Sequence, residues 1–203
     1  MKTAADYRRD VLTVVGDVSG RRYAEGVLDM GIREALAVYR RFCPNKTEVR
    51  QRILSADGCT LVLAGFPDPD IEILTIRDEA GHRLNYAEYR TGEKVYISIY
   101  GSRNIPRAVS LLLLELSVPH SIKGLDGSRE TTVPDGHALM ICRGAAGYAM
   151  RIRARSVTEV FGKRPEDREA LMNQAEQLIM EYEKEMERIS LNESFREDPW
   201  PVR

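Results

Sequence analysis

The sequence predicts an α+β protein: an α-helical bundle with an inserted small antiparallel β subdomain and an extended C-terminal tail. Apolar residues recur at helical spacing at both ends of the 203-residue chain, and they alternate with a period of two through its middle. The last residues, rich in proline and charge, follow neither pattern. A chain of this length can form one domain elaborated by a subdomain.

The first predicted element is a helix pair within residues 1–46. Tyr7, Val11 and Val15 recur every four residues and predict a short helix that ends near Gly16. A longer helix is predicted from about residue 22 to residue 42, where a following proline stops it. Its apolar stripe consists of Leu28, Ile32, Ala35, Leu36 and Tyr39.

The second predicted element is a β insert at residues 47–121, with five or six short strands. The candidate strands are TEVRQRIL, CTLVLAG, DIEILTIRD, HRLNYAEYR and EKVYISIYG, separated by the turns SADG, FPDPD, EAGH and TGE. The TGE turn predicts a hairpin between Tyr89 and Lys94. Residues 107–118 suit either a buried strand or a helical segment, and Pro106 and Pro119 at its ends favour a strand.

The third predicted element, residues 122–191, is a polar loop followed by a long helical hairpin. Its first helix, at about 135–160, contains LMICRGAAGYAMRI, which is apolar nearly all the way round. Each glycine inside a helix costs roughly 1 kcal/mol, so the cluster is expected where another backbone comes close. The second helix is predicted from about Pro165 to Leu191, and residues 192–203 are predicted to form the extended tail.

Composition and motifs argue against several classes of function. Thirty basic residues nearly balance 31 acidic ones, so no overall field attracts nucleic acid or a membrane. Cys43, Cys59 and Cys142 lack the spacing of a disulfide framework or a zinc site. The three histidines stand alone in the sequence, and no nucleotide-binding, hydrolase or metalloprotease motif is present. We therefore expect no enzyme, no cofactor, no metal and no membrane span.

Three stretches of the chain resemble the head-to-tail adaptor proteins of tailed bacteriophages and gene-transfer-agent-like particles. They are RRYAEGVLDMGIREALAVYRRF with the short helix and glycine before it, TTVPDGHALMICRGAAGYAMRIRARSVTE, and the last long helix, which ends in YEKEMERIS. The first family pattern, Y(x)nL…I(x)2AL, is matched by Tyr23, Leu28, Ile32, Ala35 and Leu36. The second, LP(x)nL(x)2GAAAYAAR, is matched by Val133, Pro134, Leu139, Gly144, Ala145, Ala146, Tyr148 and Ala149. The resemblance covers both ends of the chain, roughly half of its length, and it is less distinct in the β insert.

The resemblance implies a structural virion protein located at the neck of the particle and, during assembly, in the host cytoplasm. Such adaptors form a homo-oligomeric ring, commonly a 12-mer, beneath the portal protein. The ring extends the channel for double-stranded DNA, which passes without sequence-specific binding, and it docks a stopper or tail-completion protein. A head-to-tail ring buries two different patches of each subunit, which would account for a helix that is apolar on all sides.

The resemblance also implies roles for two sets of residues. In the adaptor family the C-terminal segment docks on the portal protein. The resemblance therefore suggests a portal-binding tail made of Phe195, Arg196, Pro199, Trp200, Pro201 and Arg203. Gly144, Ala145, Ala146, Tyr148 and Ala149 are expected to pack subunits or helices together. The polar turns of the β insert are expected to contact a downstream component, or else to be plain solvated turns.

Two other classes of function remain open at the level of sequence. Arg21 and Arg22 open the longer helix, so the N-terminal helix pair could belong to a DNA-binding regulator of the helix-turn-helix type. Against this, the first turns of the longer helix are apolar where a recognition helix would carry polar side chains. A small enzyme with an unrecognised site is the third class.

Overall fold

The computed structural model describes residues 1–52, 55–57, 60–63, 71–91, 94–100, 111–157 and 165–197. The fold is mixed α+β. Contacts between residues divide the chain into two units, one formed by Met1–Pro44 with His120–Arg203 and the other by Asn45–Pro119. We call these the helical unit and the β unit.

The described part of the helical unit contains four α-helices. They are α1 (Ala4–Val14), α2 (Glu25–Phe42), α3 (Ala138–Val157) and α4 (Pro165–Glu197). Helix α1 begins with a capping box, in which the Thr3 hydroxyl accepts the Asp6 N–H at 3.4 Å and the Thr3 N–H donates to the Asp6 carboxylate at 3.0 Å. The apolar stripe predicted for α2 is confirmed, because Leu28, Ile32, Ala35, Leu36 and Tyr39 are all buried.

Helix α3 lies at the centre of the helical unit, since it packs against α1, α2 and α4. The last of these helices contributes Ala175, Tyr182 and Met186, which lie on one face at helical spacing and are buried. The core is therefore built by three helices that each bury one stripe against a fourth helix with little polar surface.

Seven strands are found among the described residues of the β unit, all paired antiparallel. They are β1 (Asn45–Arg52), β2 (Ser55–Asp57), β3 (Thr60–Leu63), β4 (Glu72–Arg77), β5 (Arg83–Thr91), β6 (Lys94–Tyr100) and β7 (Leu111–Val118). Their order in the sheet is β1-β7-β4-β5-β6-β3-β2. Alternate residues of β4 to β7 form one buried apolar cluster, of which Ile76, Ile97 and Leu114 are fully buried.

Two predictions for the β unit are confirmed. Strands β5 and β6 form a hairpin in which Thr91 lies opposite Lys94, so the connection at TGE has the two-residue length of a tight hairpin. Residues 111–118 form a strand rather than a helix. Proline at either end of this segment disfavours a helix that would run through it.

Three predicted boundaries are wrong. Ser55–Asp57 was predicted as a turn, but these residues pair with β3 and raise the number of strands from five or six to seven. The third helix was predicted from Asp135, but residues 135–137 form a 3-10 turn and the α-helix begins at Ala138. The tail was predicted as extended from residue 192, but α4 continues to Glu197. Residues 192–197 contain no proline or glycine, and the first strong helix breaker is Pro199, which also disfavours helix at the residue before it.

Candidate functional site

The glycine- and alanine-rich stretch of α3 is buried within its own chain. Ala145, Ala146 and Ala149 are inaccessible to solvent, and Tyr148 is 4% exposed. Their neighbours are α1, α2 and α4 of the same chain. Burial inside the helical unit thus accounts for a helix that is apolar on all sides, and the composition of α3 by itself carries no argument for a contact between subunits.

Two glycines of α3 allow α4 to come close. A methyl group at Gly144 would lie 2.6 to 2.8 Å from ring atoms of Tyr182, and one at Gly147 would lie 2.8 Å from a side-chain carbon of Ile179. Because residue numbers fall along α4 as they rise along α3, the two helices run antiparallel. Glycine at these two positions therefore leaves room for α4 to pack closely. This close packing was expected, because glycine inside a helix is otherwise unfavourable.

Sequence reasoning missed a third close approach, at Gly31 of α2. A methyl group at this position would lie 2.5 Å from the backbone oxygen of Ala145 and 3.1 Å from the backbone nitrogen of Ala149. Helices α2 and α3 are therefore in backbone contact here. A glycine beside the apolar stripe of an 18-residue helix was the signal that could have identified this contact.

Tyr182 ties α4 to both of the other long helices. Its ring lies against Gly144 of α3, and its hydroxyl donates a hydrogen bond of 2.7 Å to the backbone oxygen of Ala35 in α2. Burial raises the pKa of the Tyr182 hydroxyl far above its usual range. The residue is a neutral structural donor, and it was predicted only as a member of the α4 stripe.

Two of the three histidines meet around Tyr39, although no sequence pattern predicts that they lie together. The hydroxyl of Tyr39 and Nδ1 of His137 are 2.7 Å apart. The ring centroid of His120 lies 4.7 Å from that of Tyr39. Both contacts close the core around the end of α2, which is a packing role.

The hydrogen bonds of His120 define its neutral form. Nε2 lies 2.8 Å from the backbone oxygen of Cys43, which can only accept, so Nε2 carries the hydrogen. Nδ1 lies 3.1 Å from the hydroxyl of Thr132, which can donate to it. Burial, together with the nearby positive charge of Arg40 and the ring of His137, lowers the pKa of His120 below 6.5, although the bond to Cys43 opposes this shift.

This lowered pKa predicts a loss of stability in mild acid. Because the unfolded chain takes up a proton at His120 near pH 6.5 and the folded chain does so only at lower pH, the stabilising contribution is complete above pH 6.5 and declines as the pH falls below it. Substitution His120→Gln, which keeps an amide donor toward Cys43, should reduce this decline. Urea unfolding at several pH values would measure it, and an identical decline in the variant would contradict the assignment.

The described residues offer no reactive centre. Cys43 and Cys142 are buried, and burial raises the pKa of Cys142 to about 12, so its thiol stays protonated at neutral pH. Cys59 lies outside the described residues. In the part of the chain that the structure describes, no group of three or more His, Cys, Asp and Glu side chains could hold a metal ion.

A search for membrane-spanning segments, limited to the described residues, finds no helix that is both long and apolar enough to cross a bilayer.

The N-terminal helix pair differs from a helix-turn-helix in two respects. The connection runs from residue 15 to residue 24, whereas a helix-turn-helix has a turn of about three or four residues. The connection is fixed by Asp17, whose carboxylate accepts bonds from the Arg22 N–H at 2.7 Å and the Ser19 hydroxyl at 3.0 Å. Of the early apolar residues of α2, Leu28 and Ile32 are buried and are not available to read a base, whereas Met30 is 43% exposed.

The structure describes only part of the candidate portal-binding tail. Phe195 and Arg196 lie in the last turns of α4, so these two positions are helical. Pro199, Trp200, Pro201 and Arg203 lie outside the described residues, as does the FPDPD turn of the β unit. The candidate tail that follows the helix therefore shortens to residues 198–203.

Two of the exposed apolar features on the described surface lie beside a groove or an aromatic pair. Leu139, which matches the second adaptor pattern, is 55% exposed and lines a groove of about 280 Å³ between α3 and α4. On the β unit, Tyr89 stacks on Tyr96 across the β5–β6 hairpin with ring centroids 4.8 Å apart, and Tyr100 is 59% exposed. Both features are of the kind that protein interfaces use.

No known protein-family model matches this chain, and a search of curated proteins finds no relative.

Proposed function

We propose that this chain is a structural, non-enzymatic head-to-tail adaptor that forms a ring beneath a portal protein. In this proposal the helical unit is the adaptor's bundle, the β unit is an insert, and residues 198–203 are the tail that reaches the portal. The ring passes double-stranded DNA and presents the β insert to a stopper or tail-completion protein.

The observation that carries the proposal is the contact between the two stretches that match the recurring patterns of the adaptor family. The first pattern lies mainly on α2 and the second on α3, and the two helices pack directly on each other at Gly31, Ala145 and Ala149. Nearly all of the matched residues are buried in one core. Two patterns far apart in sequence that specify one helix contact support a shared fold more strongly than either pattern alone.

Leu139 supports an assembly role for this core. Leu139 and Pro134 are the matched residues that are exposed among those the structure describes. The neighbours of Leu139 in the groove include Met140, Arg143 and Glu185, so an apolar centre is bordered by charges of both signs. A patch of this composition suits a contact between identical subunits in a ring.

The proposal is tested by electron microscopy and mass measurement of the purified chain with and without the portal protein of the same particle. We expect a ring with rotational symmetry, commonly twelve-fold in the resembling family, seated on the portal. Substitution Leu139→Asp should weaken ring formation, whereas Leu191→Asp, at a residue of α4 that is 61% exposed and does not line the groove, serves as the matched control. A chain that neither forms rings nor binds the portal would contradict the proposal.

Removal of residues 198–203 should abolish attachment to the portal and leave the melting temperature of the subunit unchanged. The deletion begins after the last residue of α4, so the helical core stays complete. Trp200 between two prolines can bury roughly 200 Å² at a small entropic cost, which at about 25 cal/mol/Å² gives up to about 5 kcal/mol before other costs. Binding of truncated and full-length chains to portal-bearing heads would be compared.

Two results would count against this role of the tail. Equal attachment by the truncated chain would show that residues 198–203 are not needed. A clear fall in the melting temperature of the isolated subunit would show that Trp200 packs on its own subunit. The single change Trp200→Ala, compared with Trp200→Phe, separates the loss of an aromatic anchor from the loss of the peptide.

The DNA-binding alternative gains no support from the described residues, because the connection between α1 and α2, from residue 15 to residue 24, is longer than the turn of a helix-turn-helix.

A further inference from the structure

Among the described strands of the β unit, β1 forms a long edge that no other strand pairs with on its outer side. It is the last strand in the sheet order and pairs with β7 over eight residues, from Asn45 to Arg52. The strand at the other end of the sheet, β2, has three residues. Proteins commonly keep edge strands short, because an open edge presents unpaired N–H and C=O groups to other chains. The β1 edge is long enough to accept another strand.

The charges on β1 are incompletely matched inside the β unit. Glu48 lies directly opposite Glu115 of β7, and like charges in this position are destabilising. Lys46 lies 3.6 Å from Glu115 and compensates that carboxylate. Within the described residues Glu48 has no ion-pair partner, and Arg50, which lies opposite Leu113, has none either. Both side chains are exposed.

The order of residues along β1 is complementary to itself in the antiparallel direction. When Val49 is placed opposite Val49 of a second strand, Glu48 lies opposite Arg50 and Arg50 opposite Glu48. Thr47 then lies opposite Gln51, and both can hydrogen-bond. Lys46 then lies opposite Arg52, and the contact of Lys46 with Glu115 offsets this like-charge pair. Centring the pair on Glu48 or on Arg50 would oppose that residue to itself, and centring it on Thr47 would leave Arg50 without an acid. Among these registers, only the one centred on Val49 pairs Glu48 with Arg50.

We propose that β1 pairs antiparallel with β1 of a second copy of this chain about Val49, which joins two β units through one continuous sheet. The pairing supplies the cation that Glu48 lacks and the acid that Arg50 lacks, twice over by symmetry. Val49 already packs beside the buried cluster of the β unit, so two such residues facing each other extend that cluster across the interface.

The same charges exclude most other partners. Lys46, Glu48 and Arg50 alternate in charge along β1. Another strand without the complementary order would place uncharged or like-charged groups opposite them. Charged edge strands resist aggregation in this way. The proposed contact is isologous and closes at two copies, whereas a ring requires a head-to-tail contact through another surface. It is therefore independent of the adaptor proposal.

Charge exchange tests the pairing in the full-length chain. Sedimentation velocity should show a reversible dimer in the unchanged protein. Arg50→Glu, or Glu48→Arg, places like charges opposite each other at two symmetric positions, and each should weaken dimerisation by about tenfold or more. The double exchange E48R/R50E restores opposite charges and should restore the dimer. Circular dichroism and the melting temperature confirm that each variant is folded.

A cysteine at position 49 tests the register. Val49→Cys should form an intermolecular disulfide under mild oxidation, because the symmetric pair lies within the distance that a disulfide spans. Thr47→Cys, two residues away, should not, since Thr47 lies opposite Gln51. The unchanged protein controls for its own cysteines. A monomer at every concentration, a double exchange that does not restore the dimer, or equal cross-linking at positions 47 and 49 would overturn the proposal.

Discussion

Replacement of Gly31 by alanine is expected to destabilise the chain by roughly 2 to 3 kcal/mol. The added methyl group would lie 2.5 Å from the backbone oxygen of Ala145, so α2 and α3 would have to move apart along their contact. The clash is with backbone atoms and not with the end of a flexible side chain, which leaves rotamer changes no means of relieving it. Urea unfolding followed by far-ultraviolet circular dichroism would give the change in free energy.

Gly26→Ala is the matched control for this experiment. Gly26 lies in the same helix, and a methyl group there would have no atom of another part of the chain within 4 Å. Alanine should stabilise α2 at this position by about 0.5 to 1 kcal/mol, because it removes the entropic cost of glycine in a helix. Equal effects at Gly26 and Gly31 would contradict the close approach of α2 to α3.

The helices could be predicted because their signals are local. Apolar residues every three or four positions predict α2 and α4, and prolines mark where helices begin or cannot continue. The end of α4 was misplaced because the change in composition after residue 191 was read as a boundary, although no proline or glycine occurs before Glu197, where the helix ends. Local signals fix the existence of an element better than its last turn.

The contacts between elements could not be predicted in the same way. Strand β1 pairs with β7, so Asn45 lies beside Val118. No feature of either sequence indicates that the two strands pair. Likewise the ring that meets Gly144 belongs to Tyr182, and His120 reaches the backbone oxygen of Cys43. Such pairings depend on the topology of the whole chain, which a periodic pattern does not encode.

For the candidate site, too, local features could be predicted from the sequence and contacts could not. The stretch around Gly144 could be identified from composition because several glycines and alanines in one helix are unusual, but composition did not distinguish contact with another subunit from contact with α2 and α4. A structural protein acts through contacts between chains, and such surfaces lack the fixed residue spacings of a catalytic motif. The exposed side chain of Leu139 and the open edge of β1 emerged only from the arrangement of the folded chain.

Removal of the Tyr182 side chain should have the largest effect of any single change considered. Tyr182→Ala should cost about 3 to 5 kcal/mol, because it empties a buried aromatic site between α3 and α4. Tyr182→Phe removes only the hydrogen bond of 2.7 Å to the backbone oxygen of Ala35 and should cost about 1 kcal/mol. Chemical denaturation of the two variants would separate the packing of the ring from its hydroxyl bond.

The effect of Gly144→Ala should depend on Tyr182. In the unchanged chain the three nearest atoms to the added methyl group, at 2.6 to 2.8 Å, all belong to the Tyr182 ring, so the substitution should cost about 1 to 3 kcal/mol. In the Tyr182→Ala background that ring is gone, and the same substitution should be neutral or stabilising by up to about 1 kcal/mol through helix propensity. A double-mutant cycle measures this coupling. Additive effects would show that Gly144 is not needed to seat Tyr182, and the antiparallel packing of α3 and α4 would then require another explanation.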